Sequence, residues 1–124
     1  MALMVEPSSW ADVADAEERL RVALSEVYAY FSREEAMLSN VLRDAPLDPV
    51  AQETMAPFYQ YWETVRDTIA NAFGASGERY EALLAALALA LDFQTWRTLV
   101  RQQELNQDRA VGLMVGMVRC LMRT

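Results

Sequence analysis

The sequence predicts an all-α protein, an antiparallel helical bundle of about five main helices that dimerises through the last two. Apolar residues recur at intervals of three and four, which is the spacing of one helical face. In addition, every residue from Leu83 to Leu91 is Ala or Leu, and Val111 to Val118 is apolar with Gly112 and Gly116 as its small members. A helix at the surface of a monomer needs only one apolar stripe. We therefore expect both runs to face the domain core on one side and a second chain on another.

Two other interpretations of these runs stay open at this stage. They fit a deeply buried hairpin in a small monomer, or, less well, a hairpin in a membrane. Each unbroken run has about nine residues, whereas a membrane span needs about twenty.

The composition limits the classes of function. A chain of 124 residues fits one domain, with residues 1–9 as a loose lead-in and residues 10–124 as the helical domain. The net charge is −7 and the eleven basic residues are all Arg and scattered, which argues against a nucleic-acid surface.

The chain has no His and one Cys, Cys120, so it cannot form an internal disulfide, a Cys–His zinc site or a His-activated nucleophile. We therefore expect no enzyme activity and no cofactor. The N-terminus does not have the pattern of a signal peptide, and we expect a cytoplasmic location.

The first half of the chain carries clear helix signals. A short turn is expected to tuck Trp10 onto the domain. Asp15 is the predicted N-cap of a first helix that ends near Phe31, and a capping-box pattern that ends at Glu35 opens a second helix to about Arg43.

A third long helix is predicted from Pro49 to Phe73, after a loop in which Asp48 is the N-cap. Pro57 lies inside this helix, so a kink or break is expected near Thr54. Gly74 is the predicted C-terminal stop.

The second half is predicted to hold two more helices. The fourth runs to about Gln103, and Asn106 caps the fifth, which continues to the end of the chain.

Aromatic residues recur at core positions of several helices and predict a ligand pocket. Taken one at a time, most of these residues are explained by an ordinary hydrophobic core. Large rings, however, leave gaps between helices in which a small apolar molecule can bind. Asp92 interrupts an apolar run, and a buried carboxylate must be paired or protonated. We expect it to meet Arg97, Arg66 or a cationic group of a ligand. The predicted ligand-binding residues are Tyr28, Phe31, Phe58, Tyr61, Trp62, Asp92, Phe93 and Trp96.

The last two helices also predict a homodimer interface. Two glycines inside a helix each cost about 1 kcal/mol relative to Ala, and close packing against another helix offsets that cost. The predicted interface residues are Leu87, Leu91, Gly112, Val115, Gly116, Met117 and Cys120.

Two segments resemble a known family. Leu89 to Val100, followed by Leu105 and Ala110 to Val118, resembles the end of the regulatory domain of TetR-type transcriptional regulators, and Leu24 to Asp44 is similar to the first core helices of that domain. The resemblance covers residues 10–123. It implies an all-helical effector-binding domain, a homodimer built on its last two helices, and a pocket for a small, usually apolar molecule.

In such regulators the ligand changes the spacing of two DNA-reading heads and releases DNA. No basic three-helix segment precedes Trp10, so the family's helix-turn-helix domain is absent from this sequence and the chain alone is expected not to bind DNA. The leading hypothesis is thus a C-terminal effector-binding and dimerisation domain. The alternative is a helical protein–protein interaction module without a small-molecule ligand.

Overall fold

The computed structural model describes residues 5–44, 49–54 and 56–123, and these residues form helices and no strand. The all-α class is confirmed. Six α-helices in the described residues have six residues or more, where about five main helices were predicted. The helices are α1 (Ala16–Arg33), α2 (Glu35–Asp44), α3 (Pro49–Thr54), α4 (Ala56–Ala70), α5 (Gly77–Ala90), the short α6 (Phe93–Trp96) and α7 (Gln107–Met122).

Several predicted helix ends are confirmed. The Asp15 carboxylate accepts from the backbone N–H of Glu18 over 2.9 Å at the start of α1. At the start of α7, Asn106 Oδ1 accepts from the N–H of Arg109 over 2.9 Å. Gly74 follows the 3-10 turn after α4 with φ 65°, a left-handed conformation that glycine adopts without a Cβ clash. The sequence rules for caps thus hold at these boundaries.

The predicted third helix is described as α3 and α4. Met55 lies between them, outside the described residues, and so do the predicted loop at 45–48 and its cap Asp48. The kink expected near Thr54 falls at this gap.

The predicted fourth helix is not continuous, which corrects the expectation of one helix to Gln103. Helix α5 ends at Ala90, and the segment Phe93–Gln102 leaves it at an angle of 59°. The Asp92 carboxylate accepts from the N–H of Gln94 over 3.1 Å, so it caps a new helix. Helix α6 then continues as a π-helical segment, Arg97–Gln102.

Helix α1 lies at the centre of the domain. It contacts α7, α4, α2 and α6, while α5 contacts α7 and α4. The residues of α1 that face these neighbours are almost fully buried, as the apolar spacing predicts. They are Leu20, Ala23, Leu24, Val27, Tyr28, Tyr30 and Phe31.

The N-terminal segment packs onto this core. A 3-10 turn at Pro7–Trp10 contacts α4 and α1, and Trp10 is fully buried, as predicted. The Trp10 indole Nε1 donates to Glu26 Oε2 over 2.6 Å. Val5 and Pro7 are buried too, so the described part of the expected lead-in belongs to the domain.

No single helix of the described chain is long and apolar enough to cross a membrane. One bent pair, α5 with Phe93–Gln102, meets the length and composition of a span only when its two parts are taken together.

Candidate ligand-binding site

A cleft of about 300 Å³ lies where α1, α2, α4, α5 and α6 meet. Its walls are mainly aromatic and aliphatic, and we call it the aromatic cleft. Tyr59, Glu63 and Asp92 are exposed at its edge, so this side opens to solvent. The lining residues are Phe31, Leu38, Leu42, Phe58, Tyr59, Trp62, Glu63, Arg66, Ala88, Leu91, Asp92 and Phe93.

Tilted rings form the floor of the aromatic cleft. The Phe31 ring centroid lies 5.4 Å from that of Phe93, at a near-perpendicular 79°, and 5.6 Å from that of Trp62. Phe58 meets Trp62 edge to face at 6.1 Å. Edge-to-face rings at these separations are favourable contacts. The packed rings form an apolar surface on this side of the aromatic cleft.

One face of α4 supplies a wall of the aromatic cleft. Tyr59, Trp62, Glu63 and Arg66 follow the spacing of three, four and seven residues that places side chains on one helical face. Only Trp62 of these four was predicted. The helical spacing of α4 is the sequence signal that could have identified Tyr59, Glu63 and Arg66.

Five of the eight predicted ligand-binding residues line the aromatic cleft: Phe31, Phe58, Trp62, Asp92 and Phe93. Tyr28, Tyr61 and Trp96 do not line it. The lining residues that the prediction missed are Leu38, Leu42, Tyr59, Glu63, Arg66, Ala88 and Leu91.

Tyr28 has a structural role instead. Its ring is fully buried, and its hydroxyl donates to the carbonyl oxygen of Ala90 over 2.7 Å, at the last residue of α5. Burial, with the negative Asp92 nearby, raises the pKa of the Tyr28 phenol. The hydroxyl therefore stays protonated and holds α1 to the end of α5.

Tyr61 and Trp96 also have partners inside the fold. The Tyr61 hydroxyl donates to the carbonyl oxygen of Val5, and burial, followed by the charge of Glu6, raises its pKa. Trp96 stacks on Phe93 with centroids 5.6 Å apart.

Trp96 also contacts an arginine. The Arg101 guanidinium carbon lies 4.9 Å from the Trp96 ring centroid, and Arg101 pairs with Glu35 of α2 at 2.8 Å. Trp96 is thus part of the core behind the aromatic cleft.

Asp92 was predicted to be a buried, paired carboxylate, and the structure corrects this. It lies at the rim, exposed, and its carboxylate caps α6 instead of pairing with Arg97 or Arg66. Arg66 contacts its neighbour Asp67 at 3.1 Å. The apolar run was interrupted at Asp92 because the helix itself breaks there, not because the core encloses a charge.

A second cleft of about 340 Å³ adjoins the first, and we call it the polar cleft. It shares Leu42, Asp92 and Phe93 with the aromatic cleft. The Arg97 guanidinium carbon lies 5.7 Å from the Phe93 ring centroid, at the boundary of the two. The polar cleft is lined by Ser39, Leu42, Arg43, Asp92, Phe93, Gln94 and Arg97.

The predicted interface residues divide into two groups. Leu87 and Val115 are fully buried within one chain, and Leu91 is 7% exposed and lines the aromatic cleft. These three belong to the domain itself, which corrects their assignment to an interface. They were chosen from runs that are apolar on every side, where composition cannot tell the inner face from the outer one.

The other four predicted interface residues lie on the outer face of α7. We define the outer face as Gly112, Leu113, Gly116, Met117 and Cys120. Leu113 is 45% and Met117 51% exposed, and a Cβ added at either glycine meets no atom within 4 Å. Leu89 of α5, which contacts α7, is 52% exposed. Leu113 and Leu89 are not among the seven predicted interface residues.

The described residues contain no group of three or more Cys, Asp or Glu side chains that could bind a metal ion. No family model matches the chain, no curated protein matches it, and no solved structure matches it.

Proposed function

We propose that the chain is an effector-binding domain that takes a small, mostly apolar ligand into the aromatic cleft. The observation that carries this proposal is the cleft itself, whose floor consists of buried rings and whose edge is open. Ligand pockets have this character: concave, mainly apolar and edged by a few polar groups. The volume of about 300 Å³ lies at the lower end of the usual range for such pockets.

The rings support binding for an energetic reason. Phe58 and Trp62 are only partly buried although they are large and apolar. A ligand that covers them removes apolar surface from water, which is favourable by about 25 cal/mol per Å². Phe31 and Phe93 are already buried by the fold, so the floor is preformed and little ordering opposes binding.

A substitution that fills the aromatic cleft tests this function. Ala88 of α5 lines the cleft and is exposed, so Ala88→Trp places a ring in the opening without entering the core. Glu81→Trp is the control, because Glu81 is exposed on the same helix and outside the cleft. The neutral probes are 1-naphthol and octan-1-ol, and binding is followed by calorimetry and by the fluorescence of Trp62.

We expect both probes to bind the wild type and Glu81→Trp but not Ala88→Trp. Trp62 is the only tryptophan that lines the cleft, whereas Trp10 and Trp96 are buried. The fluorescence change should therefore disappear in Trp62→Phe while the heat of binding remains. If Ala88→Trp binds the probes as tightly as the wild type does, the proposed ligand site is wrong.

We also propose that two copies assemble through α5 and α7. The support is the outer face of α7, which carries no charged residue, together with exposed Leu89 on the neighbouring α5. Glycines there admit a close approach of another helix. A two-fold contact would pair this surface with itself. A stable dimer of this kind buries about 2,000 Å² or more in total.

Sedimentation equilibrium at micromolar concentration tests the assembly. A dimer has twice the monomer mass of 14.1 kDa. A mass that stays at the monomer value over the accessible concentrations would contradict the dimer and leave the ligand proposal untouched.

Together, a ligand cleft and a dimer surface on the last helices are what the resemblance to TetR-type regulators implies. We infer that the chain serves as the effector-binding and dimerisation part of such a regulator, in which the ligand controls DNA binding by a separate N-terminal domain. The first alternative is a protein–protein interaction module, in which the outer face of α7 binds a different protein and the cleft binds no ligand.

A further inference from the structure

We propose that α2 is a movable wall of the aromatic cleft, and that Arg101 fixes its position and thereby sets the longest ligand that the cleft accepts. Arg101 does not line the cleft and acts through Glu35 of α2, so it is a positioning residue. The inference rests on the proposed function, because it concerns the size limit of the molecule that the same site takes.

Helix α2 is held to the domain by few buried side chains. Among its described side chains only Leu38 is buried, Leu42 is partly buried, and both line the aromatic cleft. Met37 is 43% exposed although it is large and apolar. A segment with few buried apolar contacts opens at a lower free energy than the core around it. A displacement of α2 would therefore move one wall of the cleft while α1, α4 and α5 keep the others in place.

The junction between α1 and α2 has the geometry of a hinge. Glu34 lies between the two helices with φ −109° and ψ 20°, outside the helical range. Its N–H donates to the carbonyl oxygen of Tyr30 in α1 over 3.0 Å, and its carbonyl oxygen accepts from Leu38 of α2 over 2.9 Å. Hinges use residues at the ends of elements to absorb changes in backbone angle. A change of φ and ψ at Glu34 would redirect α2.

A forked ion pair ties the start of α2 to the segment that follows α6. Arg101 Nη2 donates to Glu35 Oε1 over 2.8 Å, and Arg101 Nε donates to Glu35 Oε2 over 3.2 Å. Two parallel hydrogen bonds of this kind fix the orientation of the partners as well as their distance. The pair therefore holds α2 at one angle to the rest of the domain.

The π-helical segment Arg97–Gln102 places Arg101 for this contact. The N–H of Gln103 donates to the carbonyl oxygen of Thr98, five residues earlier, over 2.9 Å. The same interval of five separates Arg101 from Trp96, whose ring centroid lies 4.9 Å from the guanidinium carbon. In an α-helix, residues five apart point about 140° away from each other. The π turn thus brings Arg101 over the buried Trp96 ring, which anchors the guanidinium beside Glu35.

A series of straight-chain alcohols, from hexan-1-ol to decan-1-ol, measures the size limit by calorimetry on the full chain. Each CH₂ group that enters the cleft should lower the dissociation constant about fourfold, until the chain fills the cleft and the gain stops. We expect the gain to stop at a chain at least one CH₂ longer in Arg101→Gln than in the wild type. A general loss of stability would weaken all the alcohols and leave this stopping point unchanged.

Two further variants and a matched control identify the pair as the cause. Glu35→Gln, and the double variant with Arg101→Gln, should give the same stopping point as Arg101→Gln, because all three lose the same contact. Glu34→Gln removes an equal charge one residue earlier, but Arg101 pairs with Glu35 and not with Glu34. Glu34→Gln should therefore behave as the wild type. The side chains of Arg101 and Glu35 are 48% and 33% exposed, so the core stays closed in these variants.

Hydrogen exchange, measured by mass spectrometry, reports the motion of α2 without a ligand. The amides of α2 should exchange about two- to fivefold faster in Arg101→Gln than in the wild type, which is the range expected for the loss of an exposed ion pair. The amides of α1 and α7 should not change, because the pair does not hold these helices.

Each outcome supports or contradicts a stated part of the inference. If the alcohols bind but Arg101→Gln and the wild type stop at the same chain length, or if affinity in the wild type still rises at decan-1-ol, Arg101 sets no size limit and the cleft remains a ligand site. If Glu34→Gln moves the stopping point as far as Glu35→Gln does, or if exchange quickens equally in α1 and α2, the ion pair does not position α2. If no alcohol binds the wild type, the proposed function fails and this inference fails with it.

Discussion

The two faces of α7 have the same kind of composition and opposite surroundings. The inner face, which we define as Ala110, Val111, Met114, Val115 and Val118, is at most 6% exposed. On the outer face, Leu113 and Met117 remain about half exposed, and both glycines face open space. The inner face packs on α1 and α5, whereas the described residues leave Leu113 and Met117 of the outer face exposed. The difference teaches that an apolar pattern predicts a need for burial but does not identify the neighbour that meets it.

A matched pair of methionines gives the largest contrast between the faces. Met114 is 6% exposed and Met117, one turn later, is 51% exposed. Met114→Ala should lower the free energy of unfolding by about 2–5 kcal/mol, because it leaves a cavity in the core. Met117→Ala should change the monomer by less than about 0.5 kcal/mol.

Urea unfolding at several protein concentrations measures both variants. If the outer face forms a dimer, the loss caused by Met117→Ala appears only at high concentration, where dimers form in the wild type. Similar losses for the two variants at low concentration would mean that the faces are not different in the monomer.

A glycine series on the outer face gives the next largest effect. Gly116→Leu should raise the dimer dissociation constant at least about tenfold, because the added side chain separates the two helices. Gly116→Ala is the graded control: Ala and Leu are both good helix formers, but Ala adds only one carbon. In the monomer a Cβ at position 116 meets no atom within 4 Å, and both Ala and Leu favour a helix more than Gly does, so both substitutions should stabilise the monomer slightly.

Sedimentation equilibrium gives the dissociation constants, and the reaction rate of the exposed Cys120 thiol with a disulfide reagent gives an independent measure. If Gly116→Leu and Gly116→Ala have the same dimer dissociation constant, the outer face is not part of the dimer interface.

The smallest effect concerns the edge of α7 next to α1. Arg119 donates to Glu17 Oε1 over 2.9 Å, and this hydrogen bond holds the pKa of Glu17 below its ordinary value of 4.5. Because the pKa is lower in the folded state, the contribution to stability is present above pH 4.5 and is lost as the pH falls through the folded pKa.

Glu17→Gln should therefore be less stable than the wild type at neutral pH, and the difference should close in acid. Both groups are solvent-exposed, so the effect is small and should also shrink in salt. Glu81→Gln is the control, and urea unfolding across the pH range is the measurement. A constant difference at every pH would assign the effect to packing and not to charge.

The aromatic residues show a similar division between pattern and neighbours. Their spacing on α1 and α4 correctly placed Phe31, Phe58 and Trp62 around a common space. The same reasoning placed Tyr28 there, but its hydroxyl is bound to Ala90, a residue 62 positions away. Spacing along one helix gives the direction of a side chain relative to that helix and contains no information on the atom that it meets.

The sequence by itself determined the all-α class, the caps at Asp15 and Asn106 and the stop at Gly74, because these follow from contacts between residues close in the chain. The tertiary structure decided which apolar face of α7 is enclosed and where the two clefts lie. It also showed that the helix break at Asp92 turns Phe93 into a wall between the clefts. These features depend on contacts between distant segments, whose free energies compete with local helix propensity and are not expressed in any local pattern.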